Sequence, residues 1–288
     1  MKVHSIHTGY FKLDGGAMFG VVPKSIWNTL NPADEKNLCR FALRSLLIEE
    51  EDRRILIDTG IGTKQDAKFF SHYDLHGEET LDRSLQQKGF SREDITDVIL
   101  THLHFDHCGG SVDQKGDQLV PAFPRATYWT NEKHWAWALH PNDREKASFL
   151  KENLLPLQEA GQLRFLPDSE RVSQTGRLDR SPFSQNITIR YAYGHTQSMM
   201  LPQIRVGRHT LVYMADLIPT VAHLPIPYIM AYDMFPLVTL QEKKDFLEEA
   251  VTEDYVLFFE HDPEQECCRL KRTDRGIRSR EVFLLEDL

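Results

Sequence analysis

A chain of 288 residues, 41% hydrophobic and 27% charged, has the composition of a soluble globular protein and the length for one large domain or two small ones. A formal net charge of -9 argues against a nucleic-acid partner, which requires a concentrated basic surface. No apolar run is long enough to span a bilayer, and the opening MKVHSIHTGYFKLDGG lacks an apolar signal core, so the expectation is a cytoplasmic protein without a membrane partner.

In chain order, Phe41 to Glu50 and Arg54 to Gly60 are apolar β-type runs on either side of the charged EEEDR, and they predict a hairpin. TLDRSLQQKGF predicts a helix with Thr80 as N-cap and Gly89 just past its end. Asp97 to Leu100 predicts a strand that runs into the loop THLHFDH, and NEKHWAWAL predicts a second helix. NITIRYAYGH predicts a strand ending near His195. LPQIRVGRHTLVYMAD predicts a hairpin turning at Gly207-Arg208 with Asp216 at its far end. LQEKKDFLEEAV has helical spacing, and YVLFFEHD predicts a strand ending just before His261. The basic run Arg269 to Arg280, RLKRTDRGIRSR, reads as a solvated face or loop. With no repeat and no low-complexity linker, residues 1–288 read as one domain. Cys39, Cys108, Cys267 and Cys268 form no CxxC and read as reduced thiols, with Cys108 a small buried residue at a tight turn.

The stretch THLHFDHCGG puts His102, His104, Asp106 and His107 close together. Imidazole and carboxylate are good ligands for zinc and similar divalent ions. His102 and His104 can reach one ion from an extended segment, while Asp106 and His107 can face a second. His195, Asp216 and His261 supply further ligands, and the two oxygens of Asp216 can bridge both ions. His102, His195, Asp216 and His261 each lie just past a predicted strand, where loops on a rigid scaffold can converge at one sheet edge. His4, His7, His72, His134, His140 and His209 read as ordinary surface or core histidines.

HxHxDH followed by GHTQS, ADL and FFEHD resembles the metallo-β-lactamase-fold hydrolases, and the resemblance runs from RILIDTG to FFEHDPEQ. It implies an α+β fold, a four-layer αβ/βα sandwich with a dinuclear site at one edge. It further implies that His102, His104 and His195 bind one zinc, that Asp106, His107 and His261 bind the other, and that Asp216 bridges them. Asp58 of ILIDTG would orient a ligand histidine, a reading favoured over one in which it only initiates the turn at Thr59-Gly60. Manganese, cobalt or iron suit the same ligands.

His104 stands where redox diiron relatives have glutamate. Asp216 stands where antibiotic-cleaving relatives commonly have Cys or Ser. Both departures favour hydrolysis of esters, thioesters, lactones or phosphoesters. THLHFDHCGG and FFEHDPEQ look like the quorum-quenching N-acyl-homoserine lactonases, and the stretch after Asp216 is also similar to methyl-parathion-hydrolase-type enzymes. The resemblance thus implies a metal-activated hydroxide opening a lactone or ester, with Asp216 and Asp106 as catalytic carboxylates and Asp106 passing a proton to the leaving alkoxide. The expected partner is a small lactone or ester, and relatives of this kind are often homodimers. Acyl-homoserine lactonases carry a tyrosine three residues after the bridging aspartate, where this chain has Pro219, which has no side-chain donor. Met18, Phe19, Phe70, Phe105, His76, His223 and Tyr228 are the pocket candidates. The alternatives are a phosphotriester or aryl-ester hydrolase and, from another class, a metal-bound sensor without catalysis.

Overall fold

The apolar runs become strands of two mixed sheets in a computed structural model that describes residues 1–166 and 180–288. The first sheet takes Lys2–Asp14, Leu38–Glu50, Arg53–Ile57, Asp97–Ile99, Thr127–Asn131 and Leu163–Leu166, in that order. Leu38–Glu50 and Arg53–Ile57 form the expected antiparallel hairpin, with Leu46 opposite Ile57. The next three strands add in parallel. The second sheet is ordered Gly276–Phe283, Cys267–Thr273, Val256–Phe258, His209–Tyr213, Met199–Val206, Ile187–Ala192 and Arg180–Pro182. Its pairs are antiparallel except for His209–Tyr213 against Val256–Phe258.

The chain forms two compact units, Met1–Tyr10 with Leu43–Asp168 and Phe11–Ala42 with Ser169–Leu288. In the first, Leu47, Leu56, Val98 and Tyr128 from the sheet bury against Leu81, Leu85, Trp135 and Ala138 from two helices. Those helices are Leu81–Gln87, whose first turn is capped by the Thr80 hydroxyl at 3.2 Å from Arg83 N, and Glu132–Leu139, capped by Asn131. Each cap satisfies a backbone donor that the first turn leaves open.

In the second unit the helix Pro236–Thr252 starts ahead of its predicted run, with proline in the first turn where no N–H is needed. Its buried face is Thr239, Glu242, Lys243, Phe246, Leu247 and Ala250, a stripe at three- and four-residue spacing. Two charged residues sit in that stripe because each binds backbone. Glu242 accepts from Tyr193 N at 2.7 Å and Gly194 N at 3.1 Å. Lys243 donates to Pro225 O and Tyr228 O, both at 2.8 Å.

The basic run at Arg269 to Arg280, expected as a solvated face or loop, is a largely solvated face of the antiparallel pair Cys267–Thr273 and Gly276–Phe283. Leu270 and Ile277 bury one side, while Lys271 and Arg272 stay in solvent. Among the described residues, no helix is long and apolar enough to cross a membrane.

Candidate metal centre

Four donors share one local position. His102 is three residues beyond the strand end Ile99, His195 three beyond Ala192, Asp216 three beyond Tyr213 and His261 three beyond Phe258. Asp58 directly follows the strand end Ile57.

In the first unit, Asp58 organises the donor loop. Its Oδ1 accepts from Thr101 N at 2.8 Å. Its Oδ2 accepts from the Thr101 hydroxyl at 2.6 Å and lies 3.2 Å from His107 Nδ1. Because the Thr101 hydroxyl donates to Asp58, its lone pair accepts from His102 Nδ1 at 3.1 Å. His104 Nε2 lies 2.9 Å from Glu145 Oε1, and the other oxygen of Glu145 accepts from Trp137 Nε1 at 2.7 Å. The short helix Phe105–Cys108 carries Asp106 and His107, with Asp106 Oδ2 at 3.8 Å from His107 Nε2. The ring centroids of His102 lie 4.5 Å from those of His104 and 3.8 Å from those of His107. All four of these donors are buried.

Close backbone approach sets the shape of this loop. A Cβ on Gly109 would lie 2.1 Å from Ile61 O, and one on Gly110 would lie 2.2 Å from Thr59 O. Only glycine lets the two strand-end loops meet so closely. Cys108 sits in the turn as a buried thiol, pushed up to about 12 by desolvation and donating to Leu103 O at 3.3 Å.

In the second unit, Asp216 divides its oxygens. Oδ2 lies 3.2 Å from His195 Nε2 and Oδ1 lies 3.2 Å from His261 Nε2. The opposite nitrogens are committed elsewhere. His195 Nδ1 donates to Asp233 Oδ1 at 2.8 Å, and His261 Nδ1 donates to the carbonyl of Ala42 at 2.9 Å.

The five imidazoles therefore share a pattern. Each turns one nitrogen to an oxygen of the protein, which fixes the N–H on that side and the lone pair on the other. Around Asp216 this sets two imidazole lone pairs against two carboxylate oxygens, acceptor facing acceptor. A divalent cation relieves that opposition, so the donor set fits such an ion.

Residues 44–261 match the Metallo-beta-lactamase superfamily. The chain belongs to this superfamily. Its fold is the superfamily's, two mixed sheets flanked by helices. A probable metal-dependent hydrolase from Staphylococcus aureus superposes with a TM-score of 0.86 at 26% identity, over 98% of this chain and 96% of that one. AidC, a dizinc quorum-quenching lactonase solved with a product, N-hexanoyl-L-homoserine, has a TM-score of 0.76 at 22% identity, over 98% and 95%. Among curated proteins, the probable metallo-hydrolase Mb2322c of Mycobacterium bovis is 30% identical over 113 residues, covering 36% of this chain and 34% of its own length. An N-acyl homoserine lactonase of Bacillus cereus is 30% identical over 99 residues, covering 30% of this chain and 38% of its own. The chain thus spans about a third of the length of the curated relatives it matches.

The pocket candidates of this superfamily member fall in both units. In the first, Phe105 packs on Phe69 and Tyr73, at 5.2 and 4.8 Å between centroids, and Phe69 also meets Phe70. His76 stacks on Tyr10 at 5.7 Å and turns Nδ1 to Asp74 O. In the second, buried Phe19 lies between Trp27 at 5.2 Å and His223 at 4.5 Å, with Tyr228 at its edge. His223 has both ring nitrogens engaged, by the Thr220 hydroxyl at 2.7 Å and by the carbonyl of Met18 at 2.9 Å. Burial pushes its imidazole down to about 3, so it stays neutral. Pro219 is buried. Sequence reasoning missed Thr101, Glu145, Asp233 and the carbonyl of Ala42, the oxygens that orient the donor imidazoles.

Proposed function

We propose that this chain is a metal-dependent hydrolase with a dinuclear centre, for which the first unit supplies the donors His102, His104, Asp106 and His107 and the second supplies His195, His261 and a bridging Asp216. The observation that carries the reading is the commitment of one nitrogen of each donor imidazole to a protein oxygen, which leaves the other nitrogen with the lone pair a divalent ion requires. Zinc is the favoured metal, supported by the dizinc content of AidC.

When bound, the ions supply Lewis acidity and lower the pKa of water toward neutrality. The chain's own residues do the rest. Asp216 divides its oxygens between the two sets of donors. Asp58, Glu145 and Asp233 hold the imidazoles in one orientation so that none must reorganise during turnover. Asp106, whose side chain is 13% exposed, is assigned the transfer of a proton to a departing alkoxide.

The favoured substrate class is a lactone, with N-acyl-homoserine lactones first, supported by AidC and the Bacillus cereus lactonase. A second reading, aryl esters or phosphotriesters, is favoured by Pro219, which offers no hydroxyl to a lactone carbonyl. The test is proton release by zinc-loaded protein given a long-chain acyl-homoserine lactone, with chelated protein as control. Rapid release that the chelator abolishes is expected. No release from fully metallated protein overturns the lactone reading and moves the test to aryl esters and phosphotriesters.

A further inference from the structure

The second unit contains a cavity of about 820 Å³ that the metal chemistry does not use. That volume lies in the range of small-molecule sites. Leu30, Val221, Leu224 and Pro225 give it apolar wall, and Arg275 and Arg278 of the C-terminal hairpin also line it.

These two arginines differ from their neighbours. On the same hairpin, Arg269 pairs with Asp254 and Glu281, Arg272 with Glu248, and Arg280 with Asp254 and Glu281. Among the described residues, Arg275 and Arg278 have no carboxylate at ion-pair distance. The acids that share the wall do not answer them. Asp262 spends both oxygens on backbone, accepting from Val221 N at 2.9 Å, Glu264 N at 3.0 Å and Gln265 N at 2.7 Å. Glu264 lies 3.5 Å from Arg40. A cavity lined by two arginines that have no ion-pair partner among the described residues, beside apolar wall, is matched to one kind of occupant.

We propose that this cavity binds an amphipathic carboxylate, a medium-chain fatty acid or N-acyl amino acid, with the carboxylate on Arg275 and Arg278 and the alkyl chain against Leu30, Val221, Leu224 and Pro225. The wall holds none of the seven metal donors, and the proposal does not depend on the hydrolase reading.

The test uses decanoate and a photoreactive decanoate analogue on zinc-loaded protein, with decylamine as the control that keeps the chain and reverses the charge. Decanoate binds, decylamine does not, and labelling falls on the segments Thr220 to Tyr228 and Arg275 to Ser279. In the Arg275→Ala/Arg278→Ala variant, whose changes lie at the surface end of the hairpin, decanoate binding weakens at least tenfold and the labelling of those segments disappears. Ala222→Trp, which fills the cavity, does the same while both arginines remain. Unchanged affinity in both variants overturns the proposal. So does labelling confined to peptides carrying the metal donors, which would place the carboxylate on zinc. A dimer in sedimentation that the arginine variant dissociates would show the cavity to be closed by a second copy, and also overturns it.

Discussion

Asp233 Oδ1 lies 2.8 Å from Nδ1 of His195, and the pair is buried. The carboxylate keeps the imidazole proton on that nitrogen and raises the basicity of the other. Asp233→Ala is expected to weaken metal affinity by about 10–100-fold, read by competition with a chromogenic chelator. Asp233→Asn, which retains an acceptor oxygen, recovers part of the loss. Equal affinity in wild type and Asp233→Ala would show that the contact does not position His195.

Asp58 does two jobs that can be separated. Its backbone sits at φ 56, a left-handed conformation that asparagine tolerates and alanine resists. Its carboxylate gathers Thr101 and His107. Asp58→Asn is expected to remain folded and to lose metal affinity. Asp58→Ala loses affinity to the same degree and adds about 1–2 kcal/mol of destabilisation from the backbone. Urea titration of the two metal-free variants makes the comparison, and identical midpoints would contradict it.

Gly194 precedes His195 at a point of backbone contact. A Cβ there would lie 2.2 Å from both N and Oγ1 of Thr239, in the first turn of the long helix. Gly194→Ala is expected to cost about 1–3 kcal/mol by overpacking and to displace His195. Removing the hydroxyl with Thr239→Ala restores little, because the backbone nitrogen stays in place. A thermal melt of single and double variants checks this, and full rescue by Thr239→Ala would sink it.

Burial pushes the Lys243 ammonium down from 10.5 to about 7, with Asp233 opposing the shift and Arg278 adding to it. Between about pH 7 and pH 10.5 the unfolded chain therefore binds more protons at this side chain than the native one. Stability from this group rises with pH across that window, by at most about 1.4 kcal/mol per pH unit, and the penalty is fully present below pH 7. Lys243→Met is expected to flatten that rise in a pH series of urea midpoints. An unchanged slope would mean that Lys243 does not titrate in the window.

The hairpin at Leu38–Glu50, the helices at Leu81–Gln87 and Glu132–Leu139 and the strand ends bearing the donors were legible because each rests on a short-range signal, an alternation, a cap or an apolar run. HxHxDH was legible because donors so close in sequence leave few other uses. Glu145 and Asp233 were not. They reach their histidines across 41 and 38 residues, from irregular stretches without periodicity, and no local pattern marks an acid whose partner is that distant. The strand Lys2–Asp14 escaped for another reason, since only Ile6, Gly9 and Phe11 of its thirteen residues are buried and its polar content hides the alternation. The C-terminal hairpin was masked in the same way by its arginines, although Leu270 and Ile277 mark the inward side.

Donors at a constant offset from four strand ends have a mechanical consequence. Within the second sheet, the spacing of His195, Asp216 and His261 is metered by ladder hydrogen bonds rather than by the connecting segments. Lengthening a turn at the far end of the strands, such as Gly207-Arg208, leaves the metering untouched. One residue inserted between Tyr213 and Asp216 breaks it, and would swing the carboxylate away from both His195 and His261. Tolerance to insertion in this chain should therefore be lowest at each donor-bearing strand exit and generous at the opposite end of the strands, as at Gly207-Arg208.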